Sequence, residues 1–228
     1  MPIIQNTPEE IRRHIRNHRQ ANEERKEIAK TCCFTGPRPK NFPWGGDRER
    51  EAQVVAWLEG QIRAAIARGY RHFISGMAAG VDLIAAEIVV RLRGEMPEKG
   101  IALEAAVPFP EQSVRWKQKT QAEYFRLLAL CDRVSVVSEH FSVAAYRERD
   151  RYMVDASSLV IGVESIPDGG TARTLSYAKA QGRRIVLLGK DEVRSPTARR
   201  RRRRTSAAEV GVSVERKREG ASAPVAEK

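Results

Sequence analysis

Ser75-Gly76-Met77-Ala78-Ala79-Gly80-Val81-Asp82 follows a short apolar run, Tyr70–Ser75, and opens a stretch in which Leu83, Ile84, Ile88 and Leu92 recur at helical spacing. Asp168-Gly169-Gly170-Thr171 stands in the same relation to the apolar run Leu159–Val163 and to a helix predicted over 171–181. A glycine-bearing turn from strand into helix, met twice, is the punctuation of a parallel α/β sheet. In such sheets ligands bind beyond the carboxyl ends of the strands, so both turns fall where phosphates and nucleotides are held.

Working outward from these turns, the same alternation continues. Thr31–Phe34, Tyr70–Ser75, Ile101–Val107, Arg133–Val137, Leu159–Val163 and Arg184–Leu188 read as strands. Between the first two, Val54, Val55, Leu58, Ile62, Ala65 and Ile66 follow a helical period, with Asp47 as a cap and Gly69 as a stop. Further helices are predicted over 111–130 and around Ala144–Ala156. The reading is an α/β domain over 31–189 with a mostly parallel sheet of about six strands. Residues 1–30 form a polar N-terminal helical extension, and 190–228 a disordered, Arg-rich tail.

Bulk properties set bounds on function. A hydrophobic fraction of 41% in 228 residues is enough for a substantial core. No run of eighteen apolar residues predicts a membrane span, and the N-terminus lacks the apolar centre of a signal peptide, so a cytoplasmic protein is expected. Three cysteines give neither a disulfide framework nor metal-like spacing, and His14 with His18 has no third partner, so no metal is expected. The net charge of +12 is uneven: residues 191–228 carry 11 basic and six acidic groups, including the run Arg199–Arg204. That run would attract any polyanion, so non-specific nucleic-acid contact through 199–204 and a functionally neutral solvated tail both stay open.

Four segments supply candidate binding residues at the carboxyl edge. In Thr35-Gly36-Pro37-Arg38-Pro39, Gly36 permits close backbone approach and Arg38 offers a fork to a phosphate or carboxylate. In the second segment Gly76 and Gly80 clear the backbone, Ser75 offers a hydroxyl, and Asp82 either holds a ribose or caps its own helix. The third, Pro108-Phe109-Pro110-Glu111-Gln112 with Trp116, has an amide and an indole able to read and stack a base, unless Trp116 is a core anchor. Gly169, Gly170 and Thr171 complete the set. The charged stretch Tyr146–Asp155 could send Arg149 and Asp155 to the same edge or pair them internally. The spacing matches neither the dinucleotide fingerprint nor the P-loop. No nucleophile elbow or paired carboxylates mark a reaction, leaving Asp82 and Asp155 as weak catalytic candidates.

The ordered set Thr35-Gly36-Pro37-Arg38-Pro39, Ser75–Asp82, Pro108-Phe109 with Gln112 and Trp116, Tyr152-Met153-Val154-Asp155 and Gly169-Gly170-Thr171 resembles the YpsA-like branch of the SLOG superfamily. That superfamily is bacterial in this branch and also contains the DNA-processing protein DprA and the LOG cytokinin-activating enzymes. The resemblance implies a Rossmann-like three-layer fold and a nucleotide or ADP-ribose-like ligand. Two positions depart from its pattern. Pro37 stands where the family usually has histidine, and Asp150 follows Arg149 where it tends to have asparagine. LOG-type phosphoribohydrolases also place a glutamate shortly after the second glycine turn, where this chain reads Ala172-Arg173-Thr174-Leu175.

The expectation is a nucleotide or nucleotide-derivative binding protein acting as a sensor or regulator. The amides of 76–81 and 169–171 would hold phosphates, Arg38 would neutralise charge, and Gln112 with Trp116 would contact the base. An N-glycosidic or phosphoribosyl hydrolase and a single-stranded nucleic-acid binding protein are the alternatives, and a homo-oligomer is left open.

Overall fold

A computed structural model describes residues 27–164, 167, 169–189 and 192. The predicted N-terminal helix up to residue 26, the His14–His18 pair, Asp168 and the Arg199–Arg204 run lie outside the described residues. Six strands appear in chain order: β1 (Thr31–Thr35), β2 (His72–Ser75), β3 (Ala102–Val107), β4 (Arg133–Val136), β5 (Leu159–Val163) and β6 (Arg184–Leu188). They form one sheet in the order β4-β3-β2-β1-β5-β6, with every pairing parallel. The helices between them are α1 (Arg48–Ala67), α2 (Val81–Glu95), α3 (Gln118–Leu128), α4 (Val143–Asp155) and α5 (Gly170–Ala180). This is a Rossmann-like three-layer α/β fold.

The two faces of the sheet follow from the pleat, which sends alternate side chains to opposite sides. Cys32, Phe34, Phe73, Leu103, Ala105, Leu159 and Ile161 share one core with Leu58 and Ile62 of α1, Ala86 and Val89 of α2, and Leu127 of α3. Cys33, Ile74, Ala106 and Val160 face the other way, onto Met153 and Val154 of α4 and Ala178 of α5. Parallel strands covered on both sides must be apolar throughout, and β1 and β5 are buried at every position.

Local signals set the helix ends. The Asp47 carboxylate accepts from the amides of Glu49 at 3.0 Å and Arg50 at 3.2 Å, the N-cap that its position predicts. Gly69, with φ +94°, turns the chain after α1 into β2. One boundary differs from the periodicity: α3 starts at Gln118, while residues 109–116 make successive i→i+3 turns. The Gln121 side chain donates to the carbonyls of Ser113 and Val114 at 2.8 and 3.0 Å, holding that loop ahead of the helix.

A buried carboxylate ties α4 to the sheet. Glu104 of β3 accepts from Tyr152 Oη of α4 at 2.5 Å and from Ser135 Oγ of β4 at 2.7 Å, with His72 Nε2 at 3.0 Å. Burial would raise its pKa, but the hydrogen bonds from His72, Tyr152 and Ser135 outweigh that and hold it at about 2.

The topology places the site. The chain runs outward from β1 to β4, then crosses back to lay β5 on the far side of β1. Loops leaving the carboxyl ends of β1 and β5 therefore diverge and leave a crevice between them.

Candidate functional site at the sheet switch point

The crevice is a cleft of about 550 Å³, walled by the loop after β1, the first half of α4 and the start of α5. That volume lies in the range of small-molecule sites. Five basic side chains line it, Arg38, Lys40, Arg147, Arg149 and Arg173, against two acidic ones, Asp82 and Asp150. Thr35, Gly36, Arg38, Asp82, Gly169, Gly170 and Thr171, all singled out from the sequence, line this one cleft.

The loop after β1 is locked against the start of α2. A Cβ on Gly36 would lie 2.5 Å from Val81 Cβ. Gly80 has φ +112°, and a side chain there would strike the Pro37 carbonyl oxygen. That carbonyl accepts from the Val81 amide at 3.3 Å. Within the turn, the Met77 amide donates to Ser75 Oγ at 3.1 Å, Ser75 Oγ donates to the Asp82 carbonyl at 2.9 Å, and the Ala78 amide lies 3.4 Å from Asp82 Oδ2. Of the amides expected to cradle a phosphate at 76–81, those of Met77, Ala78 and Val81 thus serve the turn itself. Ser75, Gly76 and Gly80 are scaffold behind the cleft, and only Ala78 and Asp82 of this segment line it.

Arg149 explains the second glycine. The residue is 5% exposed, and its guanidinium donates through Nη1 to the Gly76 carbonyl and pairs through Nε with Asp150 Oδ1 at 2.8 Å. A Cβ on Gly76 would collide with this guanidinium. Asp150, which stands where the resembling family tends to have an amide, is therefore matched to a buried cation. Asp82 Oδ2 lies 3.8 Å from Arg149 Nη1. Burial pushes the Asp82 carboxyl up to about 6, with Arg149 pulling it down and Asp150 pushing it up.

The α5 side of the cleft is the opposite case. Gly169 is the extended N-cap residue and supplies no side-chain hydrogen bond. A Cβ on Gly170 would meet nothing within 4 Å. The first amides of an α-helix have no acceptor within the helix and carry the positive end of its dipole. Thr171 is buried beside them, and Thr174 Oγ1 donates to the Gly170 carbonyl at 3.0 Å.

Three expected residues lie elsewhere. Gln112 is buried and its Nε2 donates to the Met77 carbonyl at 3.3 Å. Trp116 packs edge-on to Tyr124, with ring centroids 5.4 Å apart, against the core of α1–α3. Both belong to the turn region that the periodicity had assigned to a helix. Asp155 ends α4, which runs antiparallel to the strands, so it sits at the opposite edge of the sheet, about 18 Å along the helix from Val143. There it accepts from Tyr177 Oη at 3.0 Å.

The face of α4 that fills the cleft was not picked out from the sequence. Val143, Tyr146, Arg147 and Asp150 line it at i, i+3, i+4 and i+7, the spacing of one helix face. The Arg38 guanidinium lies over the Tyr146 ring, 5.3 Å from its centroid, a cation–π pair. Phe109 meets the same ring edge-on at 5.3 Å.

Burial pushes the Cys33 thiol up to about 12 and raises Cys32 well above the usual thiol range, so neither is a thiolate near neutrality. Among the described residues no group of three His, Cys, Asp or Glu is placed to hold a metal ion, and no helix is long and apolar enough to cross a membrane.

Residues 32–183 match the family described as YspA SLOG (YpsA). The chain belongs to the YspA SLOG family. It is 32% identical over 121 residues to the SPbeta prophage-derived protein YoqJ of Bacillus subtilis, covering 47% of this chain and 69% of that one. It is 32% identical over 126 residues to a UPF0398 protein of Halalkalibacterium halodurans, covering 54% of this chain and 65% of the relative. Among solved structures it is similar to DprA from Streptococcus pneumoniae at 14% identity and a TM-score of 0.43, over 71% of this chain and 51% of that one. It is also similar to DprA from Helicobacter pylori, described in terms of single-stranded DNA binding, at 14% identity and a TM-score of 0.47, over 73% and 67%.

Proposed function

We propose that this SLOG domain binds a nucleotide or nucleotide derivative in the cleft between the loop after β1 and the start of α5, and acts as a sensor or regulator. The observation that carries the reading is a cleft of nucleotide size, lined by five basic side chains, into which α5 starts from a Gly169 N-cap that supplies no side-chain hydrogen bond. Gly169, Gly170 and Thr171 would receive the phosphate on backbone amides, and Arg38 would neutralise its charge. Asp82 and Asp150 offer carboxylate oxygens to ribose hydroxyls. Titration calorimetry on the full chain with AMP, ADP, ADP-ribose and pyrophosphate tests it. Binding at micromolar concentrations is expected, and no binding of any of them below millimolar overturns it.

A single-stranded nucleic acid is the second reading. It rests on the exposure of Arg38, Lys40, Arg147 and Arg173 at the cleft. Removing residues 190–228 separates cleft binding from attraction to Arg199–Arg204. An oligonucleotide that the shortened chain binds at physiological salt more tightly than any mononucleotide would favour the polymer. Hydrolysis of the N-glycosidic bond would need an acid or base from Asp82 or Asp150, since Asp155 lies at the other edge. Release of free base from a nucleoside monophosphate, lost in Asp82→Asn, would establish that reaction.

A further inference from the structure

Within the cleft α4 places Val143 and Tyr146 beside the charged Arg147, Arg149 and Asp150, whereas the start of α5 supplies glycines, threonines and Arg173. Val143 is 65% exposed although it lines the cleft, and Phe141, one residue before the Ser142 cap, is 66% exposed. Phe109 links Phe141 to the site: its ring meets Phe141 edge-on at 5.2 Å and Tyr146 edge-on at 5.3 Å. Scattered exposed apolar residues mean little, but Val143 lines a charged cleft and Phe141 stands two residues before it, packed on the ring that also holds Tyr146.

We infer that Tyr146, Arg38 and Val143 form a subsite for the flat heteroaromatic ring of the ligand, at the α4 side of the cleft. The inference rests on the nucleotide reading above and narrows it to base-bearing phosphates, as against sugar phosphates or inorganic polyphosphates. Tyr146 is fixed by Phe109 at its edge, and the planar guanidinium of Arg38 already lies over it. A guanidinium stacks on a base as it stacks on a phenol, so the pair is the start of a column that a flat ring enters or extends. Arg38 is exposed, which leaves it free to move along that column. Val143, one turn of α4 before Tyr146, supplies an apolar side wall. The ring then lies against α4 and the phosphate at the start of α5, with Arg38 stacking on the ring side while its charge serves the phosphate, and with the carboxylates of Asp82 and Asp150 in the same cleft to accept from the sugar. Gln112 and Trp116 take no part, being engaged with Met77 and Tyr124.

The test compares the four ribonucleoside 5′-monophosphates with ribose 5-phosphate and pyrophosphate by calorimetry on the full chain. The tightest monophosphate should bind at least about tenfold more tightly than ribose 5-phosphate, the scale of one base–aromatic stack. Tyr146→Ala should remove most of that preference and the uncharged Val143→Ser part of it, each leaving ribose 5-phosphate affinity within about twofold. Tyr146→Leu keeps apolar packing on Phe109 and guards against a folding defect in the alanine variant. Tyr146→Trp should retain the preference. Equal binding of monophosphates and ribose 5-phosphate by the unmodified chain overturns the ring subsite and leaves the phosphate reading standing. Parallel loss of ribose 5-phosphate and monophosphate affinity in the Tyr146 variants overturns it too, since the tyrosine would then be shaping the cleft as a whole. Failure of every compound to bind removes both proposals together.

Discussion

Replacing Gly170 by alanine should move stability and ligand affinity in opposite directions, and both magnitudes come from the same two facts. Gly170 is the first residue of α5, and its added methyl would meet nothing within 4 Å. Alanine in place of a helical glycine is worth about 0.5–1 kcal/mol, mostly through the unfolded chain, and no clash offsets it. For a domain of this size that raises Tm by roughly 1–3 °C. The same empty space is where an anion must come to reach the amides of 169–171. A methyl there holds a phosphate oxygen away from hydrogen-bonding distance. Loss of one charge-assisted bond, about 1.5–3 kcal/mol, weakens binding by roughly ten- to a hundredfold. Thermal unfolding followed by circular dichroism reads the first effect, and calorimetry with AMP reads the second. A more stable variant that still binds AMP as well as the parent would refute phosphate contact at this helix start. A less stable variant would refute the account of the site as open space.

Gly80→Ala should do the reverse, costing about 3 kcal/mol or more, because φ +112° and the Pro37 carbonyl both exclude a side chain; a denaturant midpoint unchanged within error would contradict this. Asp82 has a folded-state pKa raised to about 6 from 3.8, so the native state binds more protons than the unfolded chain between those values. Stability from this group is therefore full below about pH 4 and is lost as pH rises through 6, a swing of about 3 kcal/mol. Asp82→Asn should remove the swing, so that stability measured against the parent shifts towards the variant between pH 4 and 7. Glu104 has the opposite sign: its pKa is lowered from 4.5 to about 2, so it stabilises above pH 4.5 and that contribution fades as pH falls towards 2. Glu104→Gln should lose about 3 kcal/mol at neutral pH and show a correspondingly flatter acid-unfolding profile; a variant as stable as the parent at pH 7 would count against the Tyr152–Ser135–His72 network.

Much of the fold was legible because parallel strands buried on both faces leave continuous apolar runs, as β5 does at Leu159–Val163; the edge strand β6, partly exposed, still falls where Arg184–Leu188 reads as a strand. Glycine turns were equally visible, yet their roles were not. A glycine that clears space for a ligand and one that clears space for Arg149 look alike in sequence. Only the long-range partner separates Gly170, which faces open space, from Gly76, which does not. The α4 face was hidden for another reason. Its cleft residues are interleaved with charged neighbours, so hydropathy shows no stripe, and the i, i+3, i+4, i+7 set emerges only once the crevice fixes which side of the helix matters. Gln112 and Trp116 were placed at the cleft by reading a helix from 111, seven residues before it begins.

The interlock of Gly76, Arg149 and Asp150 divides the site into parts that differ in how freely they can be redesigned. Enlarging Gly76 displaces the guanidinium, removing Arg149 leaves Asp150 without its buried counter-ion, and neutralising Asp150 leaves the cation short of one. Enlarging Gly76 or removing Arg149 is therefore expected to cost stability before it alters ligand preference. Val143, Tyr146 and Arg147 sit on the same helix with no such debt to the turn after β2. Altered ligand preference is best sought by randomising these three positions, with the Gly76–Arg149–Asp150 trio left intact as the frame that holds them in place.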